Sequence, residues 1–134
     1  MMNACVLKII TETNGEKNTV YKLGKAEFDR SFLKITYTDE RSAVFIELNG
    51  KKGKIVRKGD YSLELNLEEG KEISSSIGLG LSSGEMGVYT SKIQWTKEDQ
   101  KANLLLDYTL LFGLEKQNIK LTVDVQLKNN SEEK

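Results

Sequence analysis

Between Asn103 and Leu127 apolar and polar residues alternate in a way that suits a two-armed β-hairpin. Leu104, Leu106, Tyr108, Leu110, Phe112 and Leu114 share one face of the first arm, and Ile119, Leu121, Val123, Val125 and Leu127 share one face of the second. Folding the arms about Lys116 and Gln117 sets Leu114 against Ile119, Phe112 against Leu121, Leu110 against Val123, Tyr108 against Val125 and Leu106 against Leu127. Every large apolar residue on that face from Leu106 to Leu127 then meets another. An odd-length loop would set Leu114 against Lys120, so burial favours an even one. Neither Lys116 nor Gln117 favours positive φ, and the expected connection is therefore a four-residue loop from Glu115 to Asn118.

The same period recurs upstream in shorter runs. Ala4 to Thr13 reads as a first strand ending at Asn14-Gly15, a pair suited to a type I′ turn. Its return, about Lys17 to Phe28, contains Gly24, which predicts a bulge or a sharp bend. Leu33, Ile35 and Tyr37 alternate with Lys34 and Thr36 after a polar turn at Asp29 to Ser31. Val44, Ile46 and Leu48 share a face before Asn49-Gly50. Gly53 to Arg57 is short, and Tyr61, Leu63, Leu65 and Leu67 form a half-buried row after a turn at Lys58 to Asp60. Glu69-Gly70 leads into a weaker strand, Glu72 to Leu81. From Gly84 to Trp95 the parity changes, with Met86 and Val88 on even positions and Tyr89, Ile93 and Trp95 on odd ones, so a bulge is expected there. Thr96 to Ala102 is a polar interruption with room for one helical turn.

That makes about ten strands with turns every eight to twelve residues, the spacing of a barrel or sandwich. The absence of proline and the 11 glycines fit this all-β reading, and an antiparallel meander is the economical topology. A single domain over residues 1–128 with a frayed polar tail at 129–134 is expected. Lys plus Arg and Asp plus Glu balance at 20 each, so no net field draws the chain to nucleic acid or anionic lipid. No basic region, long apolar run and cleavage site mark the start, and no run of roughly 18 apolar residues occurs anywhere. A soluble, cytoplasmic protein without a membrane span is the expectation. Cys5, the only cysteine, reads as a small core residue.

From Arg57 onward, Arg57-Lys58-Gly59, Glu69-Gly70, Gly84, Val88-Tyr89-Thr90, Tyr108 and Asn118 stand in an ordered set that resembles the YwiB-like family of small bacterial proteins of unknown function. That resemblance implies a single antiparallel calycin-like (lipocalin-like) β-barrel of about 8–10 strands. It hands over no catalytic residue. Members often carry a Thr-Pro-aromatic-Gly run where this chain has Leu81-Ser82-Ser83-Gly84.

The chemistry-bearing residues are few. The chain has no histidine, which removes Ser-His-Asp and Cys-His catalysis and the usual zinc sites. In the expected register Asp107 and Asp124 are diagonal neighbours roughly 7–8 Å apart, a spacing that could serve acid-base work on a sugar. They also share the polar face of the hairpin, where solvated carboxylates are ordinary. Gly78, Gly80, Gly84 and Gly87 lack the helix start and Lys-Ser/Thr ending of a phosphate loop. No acidic loop has calcium-ligand spacing. Lys51, Lys52, Lys54, Arg57 and Lys58 form a basic cluster without interleaved exposed aromatics, which argues against nucleic acid.

The expectation is thus a non-enzymatic barrel without cofactor or metal that binds a small apolar or amphipathic ligand. Tyr108, Leu110, Phe112, Val123 and Val125 are its candidate wall, with Tyr89 and Trp95 at the barrel mouth or in the core. The alternative is a side-chain-filled barrel acting as an interaction module or homodimer through an exposed strand or an outer patch that includes Leu105 and Leu111. A third reading is an enzyme acting through Asp107 and Asp124.

Overall fold

The computed structural model describes residues 2–60, 62–79 and 82–128. Ten strands account for most of them: β1 (Asn3–Thr13), β2 (Glu16–Phe28), β3 (Leu33–Asp39), β4 (Ser42–Asn49), β5 (Lys52–Lys58), β6 (Ser62–Glu68), β7 (Lys71–Leu79), β8 (Ser82–Glu98), β9 (Lys101–Phe112) and β10 (Glu115–Leu127). Each strand pairs antiparallel with its chain neighbours, and β1 pairs with β10, which closes the sheet into a meander barrel. Closure removes the two outer edges that an open sheet of this order would expose. No helix of the structure is long and apolar enough to cross a membrane. Tyr61 and Leu81, expected in strands, and the expected frayed tail at 129–134 lie outside the described residues.

Local sequence accounts for much of this. At the β1–β2 turn Asn14 has φ 50° and Gly15 φ 93°, the pair of positive values that a two-residue type I′ turn demands. At the β2–β3 turn the Asp29 carboxylate accepts hydrogen bonds from Ser31 N (2.7 Å), Ser31 Oγ (2.9 Å) and Phe32 N (3.2 Å). Thr96 to Ala102 forms no helical turn: it runs along β8 to a two-residue turn at Asp99-Gln100 and into β9.

Gly24 is not bulged. Its pairing continues without a break from Cys5 on β1 to Tyr37 on β3. A Cβ at this position would lie 2.5 Å from Thr36 O and 3.0 Å from Leu7 Cδ1, so glycine serves the close approach of β2 to its neighbours. The bulge expected in β8 is present, between Thr90 and Lys92. Before it Met86, Val88 and Thr90 point inward, and after it Ile93 does so, with half-buried Trp95 packed against the core.

The β9–β10 hairpin keeps its expected faces and loses its expected register. The turn is Gly113-Leu114, with Phe112 paired to Glu115, instead of a loop from Glu115 to Asn118. Gly113 supplies a φ of 60° that Lys116 and Gln117 would resist. Tyr108 consequently faces Ile119, Leu106 faces Leu121, Leu104 faces Val123 and Ala102 faces Val125. The displacement is an even number of residues, so the inward set is unchanged. Leu114 leaves the apolar row and stands fully exposed. This shorter turn is compatible with the long β1–β10 seam, Cys5–Leu127 through Thr13–Ile119, that completes the barrel.

The inward side chains pack as one core with a gradient along the barrel. Cys5, Leu7, Leu33, Ile35, Ile46, Leu48, Leu67, Leu104 and Leu106 are 0–2% exposed. They occupy the middle and the end that carries the β2–β3, β4–β5, β6–β7 and β8–β9 turns. Toward the opposite end the inward Thr11, Val20, Tyr37, Leu63, Ile77 and Ile119 are half-buried. Phe28, Trp95 and Leu127 are half-buried at the first end as well, so the two ends differ in degree, the first being the more closed and the second the more open.

Candidate functional site

Inward parity carries charge as well as hydrocarbon to the open end. Lys22 pairs with Leu7 across β1–β2, Asp39 follows Tyr37 by two residues on β3, and Arg57 pairs with Val44 and Leu63. All three therefore project to the side of the sheet that holds the core. The β2–β3 ladder ends at Gly24–Tyr37, and the next inward pair is joined by side chains instead. Lys22 Nζ lies 3.2 Å from Asp39 Oδ1, and Arg57 Nη2 donates to Asp39 Oδ2 at 3.3 Å. Lys22 and Arg57 are each about one quarter exposed, so the cluster sits at the rim, within reach of water.

Two phenols complete the arrangement. Tyr108 is 6% exposed and lies within electrostatic reach of Tyr37 and Arg57. Burial pushes the Tyr108 hydroxyl far above its ordinary range, helped by Tyr37 and opposed by Arg57. Burial also raises Tyr37. Burial alone would raise the Asp39 carboxyl, but hydrogen bonds and charge from Lys22 and Arg57 outweigh it and hold the group below its usual value. At neutral pH the rim thus presents two cations, one carboxylate and two neutral hydroxyls, beside half-buried Val20, Leu63, Ile77 and Ile119.

The seven residues expected to line a ligand wall do not converge on one site. Tyr108 and Leu110 face inward at the open end, and Phe112 stands on its rim, 41% exposed. Val123 and Val125 are packed in the core, 0% and 2% exposed, with Val125 toward the closed end. Trp95 is half-buried at the closed end. Tyr89 is a correction: it precedes the β8 bulge, keeps the outward parity between Val88 and Thr90, and is 41% exposed. Lys22, Asp39, Arg57 and Tyr37 were absent from the expected set. Their signal was a polar residue two positions from an apolar one in an inward row, as in Leu33-x-Ile35-x-Tyr37-x-Asp39.

Asp107 and Asp124 are not diagonal neighbours. Asp107 faces Lys120 and Asp124 faces Asn103, which puts them four positions, roughly 13 Å, apart along the strands. The slipped register is the cause. Asp107 Oδ1 instead accepts a hydrogen bond from Asn118 Nδ2 at 3.1 Å. The basic run is likewise dispersed: Arg57 turns inward, Lys54 pairs with Glu64 at 3.6 Å and Lys51 with Glu69 at 3.6 Å. Leu105 and Leu111 are half-buried on the outer face, where Val6, Tyr21 and Leu23 on β1 and β2 and Tyr89 on β8 are more exposed. Among the described residues no group of three or more Cys, Asp or Glu side chains is placed to hold a metal ion. Cys5 is fully buried, and burial pushes its thiol up to about 11.

Comparison with known proteins extends this picture. The model of the family described as "Domain of unknown function (DUF1934)" matches residues 6–127. No curated protein matches the chain. The crystal structure of the YwiB protein from Bacillus subtilis superposes with a TM-score of 0.80 at 12% sequence identity, covering 96% of this chain and 94% of that one. At that identity the likeness speaks to the fold alone.

Proposed function

The chain belongs to the DUF1934 family, whose function is unknown, and we propose from its own geometry that the open end of the barrel binds a small amphipathic anion without chemical turnover. The observation that carries this reading is the Lys22–Asp39–Arg57 cluster on inward positions of a largely apolar barrel. Asp39 holds both cations in place, and two positive charges facing one negative leave a net attraction for a carboxylate or phosphate. Tyr37 and Tyr108 remain neutral hydroxyl groups able to donate to the same anion. The apolar rim residues would cover a short hydrocarbon segment, as ligands are covered in calycin-like barrels. A binding role suits the ionisation states better than an acid-base role. Asp39 lies below its ordinary range and both phenols above theirs, so none of the three is poised to exchange a proton near neutral pH.

Calorimetric titration with octanoate, octyl phosphate, octanol and octyltrimethylammonium tests the proposal. The two anions are expected to bind saturably, and Arg57→Met to weaken them about tenfold or more, equivalent to roughly 1.4 kcal/mol. Equal binding of octanol, or anion binding that Arg57→Met leaves unchanged, would refute it.

A further inference from the structure

The 17-residue β8 outlasts the strand beside it. Its pairing with β7 ends at Lys71–Thr90, whereas its pairing with β9 continues from Lys92–Asp107 to Glu98–Lys101. Among the described residues, Ile93 to Glu98 therefore has a strand partner on one side only. Ile93 is sealed on the open side by side chains: its N–H donates to Glu69 Oε2 at 2.9 Å, and Lys51 Nζ donates to its carbonyl at 3.2 Å. Alternation along an antiparallel strand turns the main-chain N–H and C=O of Trp95 and Lys97 the same way. There a groove of about 540 Å³ opens between Ile93–Lys97 and two turns, with Arg30 from β2–β3 and Gly50 and Lys51 from β4–β5 on its far side.

The groove is basic. Arg30, Lys51 and Lys97 line it from three separate segments. Carboxylates beside these cations include Glu69, 3.6 Å from Lys51, Asp29, which feels Lys97, and Glu98, the next residue along β8. A lone lysine on a strand edge is a common guard against unwanted pairing, but convergence of Lys97 with cations from two distant turns goes beyond that guard.

We propose that the free edge of β8 at Trp95 and Lys97 docks an extended acidic segment of a partner protein. The segment adds as a strand beside β8, its backbone pairing with Trp95 and Lys97 and its carboxylates meeting Arg30, Lys51 and Lys97. This site is at the closed end of the barrel, independent of the open-end cluster.

Trp95 is the only tryptophan, so its emission reports on this edge alone. The probes are a decapeptide alternating glutamate and valine, its lysine counterpart, and the glutamate peptide N-methylated at alternate residues. Wild-type protein should show a saturable emission change with the glutamate peptide and none with the other two. Lys97→Pro removes a donor that faces away from β9 and so costs no ladder bond. It should weaken binding at least tenfold, as should the double variant Arg30→Glu/Lys97→Glu, whereas Lys97→Gln should weaken it only a few-fold. Absence of any response to the glutamate peptide near about 1 mM, the scale of a very weak complex, would overturn the proposal. Equal binding of the lysine or N-methylated peptide would do the same, and those arms use unmutated protein. A sedimenting dimer that Lys97→Pro dissolves would assign the edge to a second copy and equally overturn the acidic-segment reading.

Discussion

Thr90 has no exposed surface, and its Oγ1 has no hydrogen-bond partner among the described residues. It stands just before the β8 bulge, where its carbonyl accepts from Gly70 N at 2.7 Å. A buried hydroxyl without a partner costs about 1–3 kcal/mol. Thr90→Val, which keeps the shape and removes the polar atom, should therefore stabilise the protein by about 1 kcal/mol in urea unfolding. Thr90→Ser keeps the hydroxyl and deletes a methyl group, and should destabilise by about 1 kcal/mol. A loss in both variants would mean that the hydroxyl is satisfied. At this scale the legible part of the sequence was parity. The inward rows of β3, β4, β9 and β10 keep the expected parity, except that Leu114 leaves its row for the turn, because each Cβ direction follows from its place in the strand. Tyr89 was misplaced since one bulge reverses parity, and that bulge lies just past the last β7–β8 pair, Lys71–Thr90.

The β9–β10 hairpin shows what an element can and cannot say about itself. Its apolar faces suit several even registers, and the pattern that maximises apolar pairing within the hairpin is not the one adopted. The discriminating substitution is Leu114→Asp. In the expected register it would bury a charge opposite Ile119; in the observed turn it should change stability by less than about 0.5 kcal/mol. Val123→Asp, fully buried opposite Leu104, should cost several kcal/mol. Equal losses in the two variants, measured by urea midpoint, would contradict the Gly113-Leu114 turn. The turn at Asn14-Gly15 was legible because both residues tolerate the left-handed region. Gly113 carried the same signal, which the apolar leucine after it obscured.

At the scale of the whole barrel, Cys5 couples the closed core to pH. Burial holds its thiol near 11 against an ordinary value of 9.0, with a Gly24 backbone hydrogen bond and Lys128 acting the other way. An unfolded chain ionises at the lower value, so the contribution to stability is complete below about pH 9 and disappears as pH rises through about 11. At 1.36 kcal/mol per unit that is on the order of 2–3 kcal/mol. Cys5→Ala should show a shallower fall in unfolding free energy across that range than wild type. Parallel curves would show that the thiol does not carry the difference.

The sequence by itself determined an all-β antiparallel chain, the inward and outward faces of most strands, and the turns marked by Asn-Gly, Glu-Gly and Asp-Arg-Ser. These follow from strand periodicity and from backbone preferences of single residues, both of which act over a few positions. Only the tertiary structure decided the β9–β10 register, the open and closed ends, the meeting of Lys22, Asp39 and Arg57, and the free edge of β8. Each of these depends on which ladders close and where they stop. The β1–β10 seam, which joins the two ends of the described chain, is a contact that no short stretch can specify.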